Sequence, residues 1–259
     1  MLSVIVITKN AALHIDRCLT SVSWVDEIII VDSGSTDDTL TRCARYTDKI
    51  FIHTDWQGFG VQKNRALQYA QSDWVLSLDA DEVVTPDLQK AIKTVMQDSR
   101  YEAWQIPRLS RYCGRWMRHG GWYPDYVTRL FRRGSAHFSA DLVHEKLLVT
   151  QGHIGQLTTP LLHYSFENLE EVLQKVNAYS SASAQMQFAR GKQGGLSKAI
   201  LHGLWAFIRT YIIRLGFLDG REGFMLAVSN AEGTYYRYLK LFYCQHHASN
   251  TAQPHRHDL

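Results

Sequence analysis

Trp74-Val75-Leu76-Ser77-Leu78-Asp79-Ala80-Asp81-Glu82 is a short apolar run that stops abruptly in three carboxylates. The run has the length and the aliphatic content of a strand buried on both faces. Three more stretches upstream share its character: Val4 to Ile7, Glu27 to Val31 and Lys49 to Ile52. Between them, Leu13 to Val22, Asp37 to Arg45 and Val61 to Ala70 place apolar residues at helical spacing. Strands alternating with helices predict crossover units and a mostly parallel sheet flanked by helices. Asp37 or Asp38 is expected to cap the second helix, and Thr85 before Pro86 begins another that runs to about residue 97.

In a parallel sheet, ligands bind beyond the carboxyl ends of the strands. The first strand ends in Thr8-Lys9-Asn10, the second in Asp32-Ser33-Gly34-Ser35-Thr36-Asp37 and the fourth in Asp79-Ala80-Asp81-Glu82, so polar residues gather at one edge. Asp79 and Asp81, at i and i+2 leaving a strand, are expected to point the same way, with Ala80 leaving room between them. Two like charges that close are costly without a counter-ion, and a hard divalent ion, Mg²⁺ or Mn²⁺, would bridge them to a diphosphate. Asp32 ends its own apolar run beside a glycine turn and is placed to accept the N3–H of a uracil. Lys63 and Arg65 sit early in a helix opened by Gly58-Phe59-Gly60, where two cations favour phosphate or simply solvate the surface.

The 259 residues carry 28 Lys and Arg against 25 Asp and Glu. Disorder is excluded by 45% hydrophobic content, and the small net charge speaks against a general nucleic-acid binder. Locally the balance is uneven. Residues 100–140 hold eight arginines and two acids, interleaved with Trp104, Trp116, Trp122 and Tyr123, a mixture suited to a phosphorylated sugar. Four scattered cysteines without a Cys-x-x-Cys pair read as reduced structural thiols, and the chain opens on a strand and not on a signal peptide, so a cytoplasmic location is expected.

From Asn168 the pattern becomes helical, with Asn168 and Glu171 as a capping arrangement and Leu169, Val172, Leu173, Val176 and Tyr179 on one expected face. Leu196 to Leu218 is the most apolar long segment, but Lys198, Arg209 and Arg214 interrupt it. It reads either as an interfacial helix on anionic lipid or as a packed helix with snorkelling basic ends. The His-containing stretch from Gln245 reads as a frayed tail.

These segments resemble the GT-A glycosyltransferases of family 2: Ser3 to Asn10, Val31 to Asp37, Asn64-Arg65-Ala66 and Leu78 to Glu82. Gly121-Trp122-Tyr123-Pro124-Asp125, Arg129 to Arg133 and Val143-His144-Glu145 are similar to bacterial lipopolysaccharide and lipooligosaccharide core β-1,4-glucosyltransferases. The resemblance implies a GT-A catalytic domain over residues 1–165, with a nucleotide-sugar half (1–100) and an acceptor half (101–165). A helical, membrane-associated region (166–244) and a flexible tail (245–259) would follow.

The resemblance also implies inverting transfer of glucose from UDP-glucose to a heptose of the inner core. The acceptor would be a phosphorylated, lipid-linked core oligosaccharide at the cytosolic face of the inner membrane. Thr8, Asn10, Asp32, Arg65, Asp79 and Ala80 would bind the donor, and Asp81 with Asp79 would hold Mg²⁺ or Mn²⁺. Glu145 would be the base, with Asp125 as competitor, and Trp122, Tyr123, Asp125, Arg129 and His144 would meet the acceptor. Relatives often carry an acidic residue after the strand-one Asn; this chain has Ala11-Ala12, so any contact from there is lost or supplied elsewhere. Another UDP-hexose transferase acting on a different envelope glycan is the nearest alternative. A non-catalytic sugar- or lipid-binding protein on the same scaffold is the alternative of a different class.

Overall fold

β1 (Leu2–Thr8), β2 (Glu27–Asp32) and β4 (Trp74–Asp79) are the buried centre of the sheet, and β3 (Ile50–Ile52) is its edge. The computed structural model describes residues 1–139 and 145–251, with side chains up to residue 246. β1 pairs in parallel with both β2 and β4, and β2 with β3, so the four apolar runs lie in the order β3-β2-β1-β4. Their crossovers carry α1 (Ile15–Ser21), α2 (Thr39–Cys43) and α3 (Phe59–Tyr69). One apolar cluster packs around Val4, Val6, Ile30, Leu76 and Leu78, and a second around Ile5, Ile29, Val31, Val75 and Phe131. Strands covered on both faces need unbroken aliphatic runs, which is what the sequence supplies.

Beyond β4 the sheet changes direction. β8 (Asp125–Arg132) pairs antiparallel with β4, and β6 (Tyr101–Tyr112) antiparallel with β8. β12 (Leu161–Phe166) and β5 (Glu82–Val83) complete the path, their antiparallel register setting His163 opposite Glu82. β7 (Arg115–Trp116) and β11 (His153–Gln156) flank β6, while β9 (Ala136–Phe138) and β10 (Leu147–Val149) form a separate ribbon. α4 (Pro86–Val95) begins as expected, with Thr85 Oγ1 accepting from Leu88 N at 3.2 Å. At α2 the helix cap is Asp38, without a side-chain bond, while Asp37 accepts from Thr39 N and from Ala12 N.

The chain divides into two compact units: residues 1–109 with 124–164, and residues 110–123 with 165–259. The second is built on α5 (Leu169–Ala189), α6 (Leu196–Ile208) and α7 (Gly220–Thr251). Asn168 Oδ1 caps α5 through Glu171 N at 2.9 Å. The expected apolar face of α5 is buried only in part, through Val172 and Val176. Val172, Ser180 and Ala184 are buried, whereas Leu169, Leu173 and Tyr179 are exposed. From α7, Lys240 Nζ donates to Asn177 O (2.9 Å), Ser180 Oγ (2.8 Å) and Ser181 Oγ (2.8 Å), tying the hydroxylated side of α5 to α7. α7 also runs on to Thr251, past the point where the sequence reading begins a tail, and Gln245 Oε1 accepts from Gly194 N.

Candidate active site

The polar ends of β1 and β2 are knitted together. Asp32 is fully buried, and its carboxylate accepts from Thr8 Oγ1 (2.8 Å), Gly34 N (2.8 Å), Ser35 N (2.7 Å) and Ser35 Oγ (2.5 Å). Asn10, in the left-handed region at φ 52°, donates its N–H to Ser35 Oγ and accepts from Thr36 N, both at 2.8 Å. Ala11 N donates to Thr39 Oγ1 and Ala12 N to Asp37, so these amides serve the turn. A nucleobase N3–H reaching Asp32 would compete with these four donors. As arranged, the carboxylate shapes the turn.

At the end of β4 the two aspartates part company. Asp79 is the last residue of the strand, so the alternation that would align it with Asp81 ends there. Its Oδ1 meets Lys63 Nζ at 2.9 Å, and its Oδ2 meets Arg129. Asp81 instead lies 3.3 Å from His163 Nε2. The pair expected to grip one ion is therefore split, and among the described residues no three His, Cys, Asp or Glu side chains converge on a metal position.

Around Asp79 runs an alternating chain of charge. Lys63, 3% exposed, also bonds Glu145 Oε1 at 2.7 Å. Arg129 continues from Asp79 to Glu82 Oε1 at 2.6 Å. Arg108 Nη1 is 3.8 Å from Glu82, and its Nη2 holds Asp125 at 2.6 Å. Glu145 and Asp125, the two candidate bases, are thus the ends of one series: Glu145, Lys63, Asp79, Arg129, Glu82, Arg108, Asp125. Burial alone would raise the Asp79 carboxyl, but Arg129 and Lys63 outweigh it and hold it well below the usual range. Glu82 goes the other way, raised by full burial and by the charge of Asp79 against the pull of Arg129.

α3 makes this possible. Asn64 donates to Phe138 O (2.8 Å) and accepts from Phe138 N (2.9 Å), pinning β9 to the helix. Gly60 lets the chain near Glu145 approach, because a Cβ there would sit 1.8 Å from Ser139 O. Lys63 was one of two cations visible in the sequence, and the structure turns it inward. Arg65 forks onto Asp55 (3.0 and 2.5 Å) and Gln62. Ala80 follows Asp79 and packs against the main apolar cluster. His144 and Val143 lie outside the described residues.

The arginine-rich window does not form a free basic patch. Arg129 and Arg108 belong to the carboxylate series, Arg100 pairs with Asp98 and Arg132 with Glu102. Arg133 donates to Ser72 O, and within the second unit Arg111 pairs with Glu167 and Arg115 with Asp219. Trp122 and Tyr123 also belong to that unit. Trp122 packs edge-on to Tyr112 and beside Phe166, and Tyr123 lies under Arg118. Much of the local positive charge is taken up by acids, from Asp98 beside Arg100 to Asp219 far along the chain from Arg115.

The sequence reading missed His163 and Arg108. A lone histidine in the strand Leu161-Leu162-His163-Tyr164 carries no local signal; only the register of β12 with β5 brings it to Asp81.

A doubly wound parallel half with polar strand ends and an antiparallel extension defines the class, a GT-A transferase scaffold. Residues 3–146 match the model of "Glycosyl transferase family 2", and the chain belongs to that family. It is 30% identical to the lipopolysaccharide core biosynthesis glycosyltransferase LpsC of Rhizobium meliloti, over 95% of this chain and 93% of that protein. An uncharacterized glycosyltransferase of Rickettsia prowazekii is 31% identical over 93% of this chain and 86% of its own. Among solved structures, S. aureus TarS superposes with a TM-score of 0.50 at 17% identity, covering 90% of this chain and 55% of that one.

Proposed function

We propose that this transferase moves glucose from UDP-glucose to a heptose of the lipopolysaccharide inner core, with inversion, at the cytosolic face of the inner membrane. The observation that carries the proposal is the buried Lys63, whose ammonium joins the end of β4 to Glu145. It sets a carboxylate base beside the edge where a nucleotide sugar docks in such a sheet. The full-length similarity to an enzyme of lipopolysaccharide core synthesis supports the acceptor class. Glucose, UDP and heptose follow from the sequence resemblance.

Glu145 accepts the proton of the acceptor hydroxyl as its oxygen attacks the anomeric carbon and the bond to UDP breaks. Lys63 fixes the direction of the Glu145 carboxylate through their 2.7 Å contact, so the proton acceptor is oriented before the acceptor sugar arrives. Asp125, held by Arg108, remains the competing base. Asp81 and His163 would hold the ion through an oxygen and an imidazole nitrogen, a donor pair that suits Mn²⁺ better than Mg²⁺, whereas Asp79 is committed to two cations. The ion, when bound, stabilises the charge developing on the leaving diphosphate.

The test is thermal melting with UDP-sugars, with and without Mn²⁺, followed by transfer to a heptose-terminated core acceptor. Donor near a hundred times its Kd adds about 2.7 kcal/mol to stability. Asp81→Asn and His163→Ala should lose the Mn²⁺-dependent part of that shift. Glu145→Gln should keep the shift and stop transfer. No Mn²⁺-dependent shift with any UDP-sugar overturns the donor assignment, and an active Glu145→Gln enzyme gives the base to Asp125.

A further inference from the structure

In the second unit, α6 is packed the wrong way round for water. Its buried residues are small, Ala199 and Gly203, and a Cβ on Gly203 would lie 3.3 Å from Ala231 O on α7. Its large apolar residues, Leu196, Ile200, Leu201, Leu204 and Trp205, face outward and are between 52% and 67% exposed. At 100° per residue these five sweep an arc of about 180°, and Lys198, Arg209 and His202 lie just beyond Trp205 within about 40° of one another. The surface continues through the π-helical turn Arg209–Ile213 and the 3-10 turn Gly216–Asp219, where Ile212, Ile213, Leu215, Phe217 and Leu218 are all exposed. Leu215 holds a left-handed backbone (φ 56°), uncommon for a residue other than glycine.

A contiguous apolar surface of this kind marks a binding face, and the charge around it identifies the occupant. Lys198, Arg209 and Arg214 are exposed and have no acidic partner among the described residues. The only acids from residue 190 to 231 are Asp219 and Glu222. Both are buried, Asp219 accepting from Arg118 N and His119 N and Glu222 pairing with Arg221. A second copy docked by symmetry would bring uncompensated cations face to face. Spanning is excluded for α6, whose 13 residues reach roughly 20 Å against a hydrocarbon core of about 30 Å; no described helix is long and apolar enough to cross a membrane.

We infer that α6 and the turns after it, residues 196–218, are a lipid-binding surface that lies in the headgroup region of an anionic bilayer. The aliphatic arc is buried among the acyl chains, Trp205 sits at the boundary, and Lys198 and Arg209 meet lipid phosphates. This deepens the membrane setting of the proposed function and rests on that reading for where the chain works, but it is tested without donor or acceptor.

The full chain is sedimented with vesicles of equal parts phosphatidylglycerol and phosphatidylcholine, and with pure phosphatidylcholine. Binding should be strong to the first, weak to the second and weakened by salt. Lys198→Ala with Arg209→Ala should lower partitioning by about 25-fold, from about five-fold per charge. Leu201→Glu with Leu204→Glu should lower it by about tenfold or more, with the melting temperature unchanged because both positions are already exposed. Equal binding to the two vesicle types, or undiminished binding by either double variant, overturns the inference. So does a chain that is dimeric without vesicles and becomes monomeric as Leu201→Glu/Leu204→Glu, which would give the face to a second copy. The vesicles carry no acceptor, so a chain that binds them and transfers no glucose refutes only the proposed activity.

Discussion

Replacing Lys63 with Met removes a buried ammonium while keeping most of the side-chain volume. Two carboxylates lose a partner: Asp79 at 2.9 Å and Glu145 at 2.7 Å. Breaking a fully buried ion pair costs about 3–5 kcal/mol, because the remaining charge stays desolvated. Here Asp79 keeps Arg129 on its other oxygen, and the Glu145 side chain, 18% exposed, can recover some hydration. The lower end applies, about 3 kcal/mol, equivalent to a fall in melting temperature of roughly 6–12 °C for a chain of this size.

Urea unfolding of Lys63→Met, Glu145→Gln and the double variant measures both the cost and its origin. If the ammonium acts through the two carboxylates, neutralising Glu145 as well should restore part of the loss. The double variant should then be more stable than the sum of the singles by about 1–2 kcal/mol. A Lys63→Met protein within about 0.5 kcal/mol of the parent, or strictly additive variants, would refute the reading of Lys63 as the link of the charge series.

Gly60→Ala should destabilise by about 1–3 kcal/mol in the same assay, since the new methyl meets the Ser139 carbonyl and not a movable side chain; a neutral substitution would mean that the chain beside Glu145 yields freely. Glu27 makes stability pH-dependent. Burial pushes its carboxyl up, but Lys49, the Ser3 hydroxyl and Gln71 N outweigh this and hold it below the ordinary value of 4.5. A carboxyl depressed in the folded state contributes stability that is present above 4.5 and lost as pH falls through its lower folded value. Glu27→Gln should therefore flatten the acid limb of unfolding free energy against pH, and an unchanged limb would show that the ion pair contributes nothing.

Local chemistry made much of the fold legible. The runs Val4 to Ile7, Glu27 to Val31 and Trp74 to Leu78 are strands because aliphatic residues without polar alternation can be satisfied only between two covered faces. Thr85 and Asn168 start helices because their side-chain oxygens accept from amides three residues on. Where the sequence reading failed, the deciding partner was far away along the chain. Leu169, Leu173 and Tyr179 belong to the expected buried face yet are exposed, while Ser180, bonded by Lys240 of α7, is buried.

Electrostatics divided in the same way. By itself the sequence determined that carboxylates end the second and fourth strands, that α3 carries two cations and that arginines crowd residues 100–140. It did not determine which charge meets which. The tertiary structure sent Asp79 to Lys63 and Arg129, gave Asp81 to His163, and spent the arginines on acids as distant as Glu82 and Asp219. Strand and helix formation depend on neighbours within a few residues, which a sequence displays. Pairing of charges depends on strand order and register, and these are settled only when β8, β6, β12 and β5 come together in one sheet.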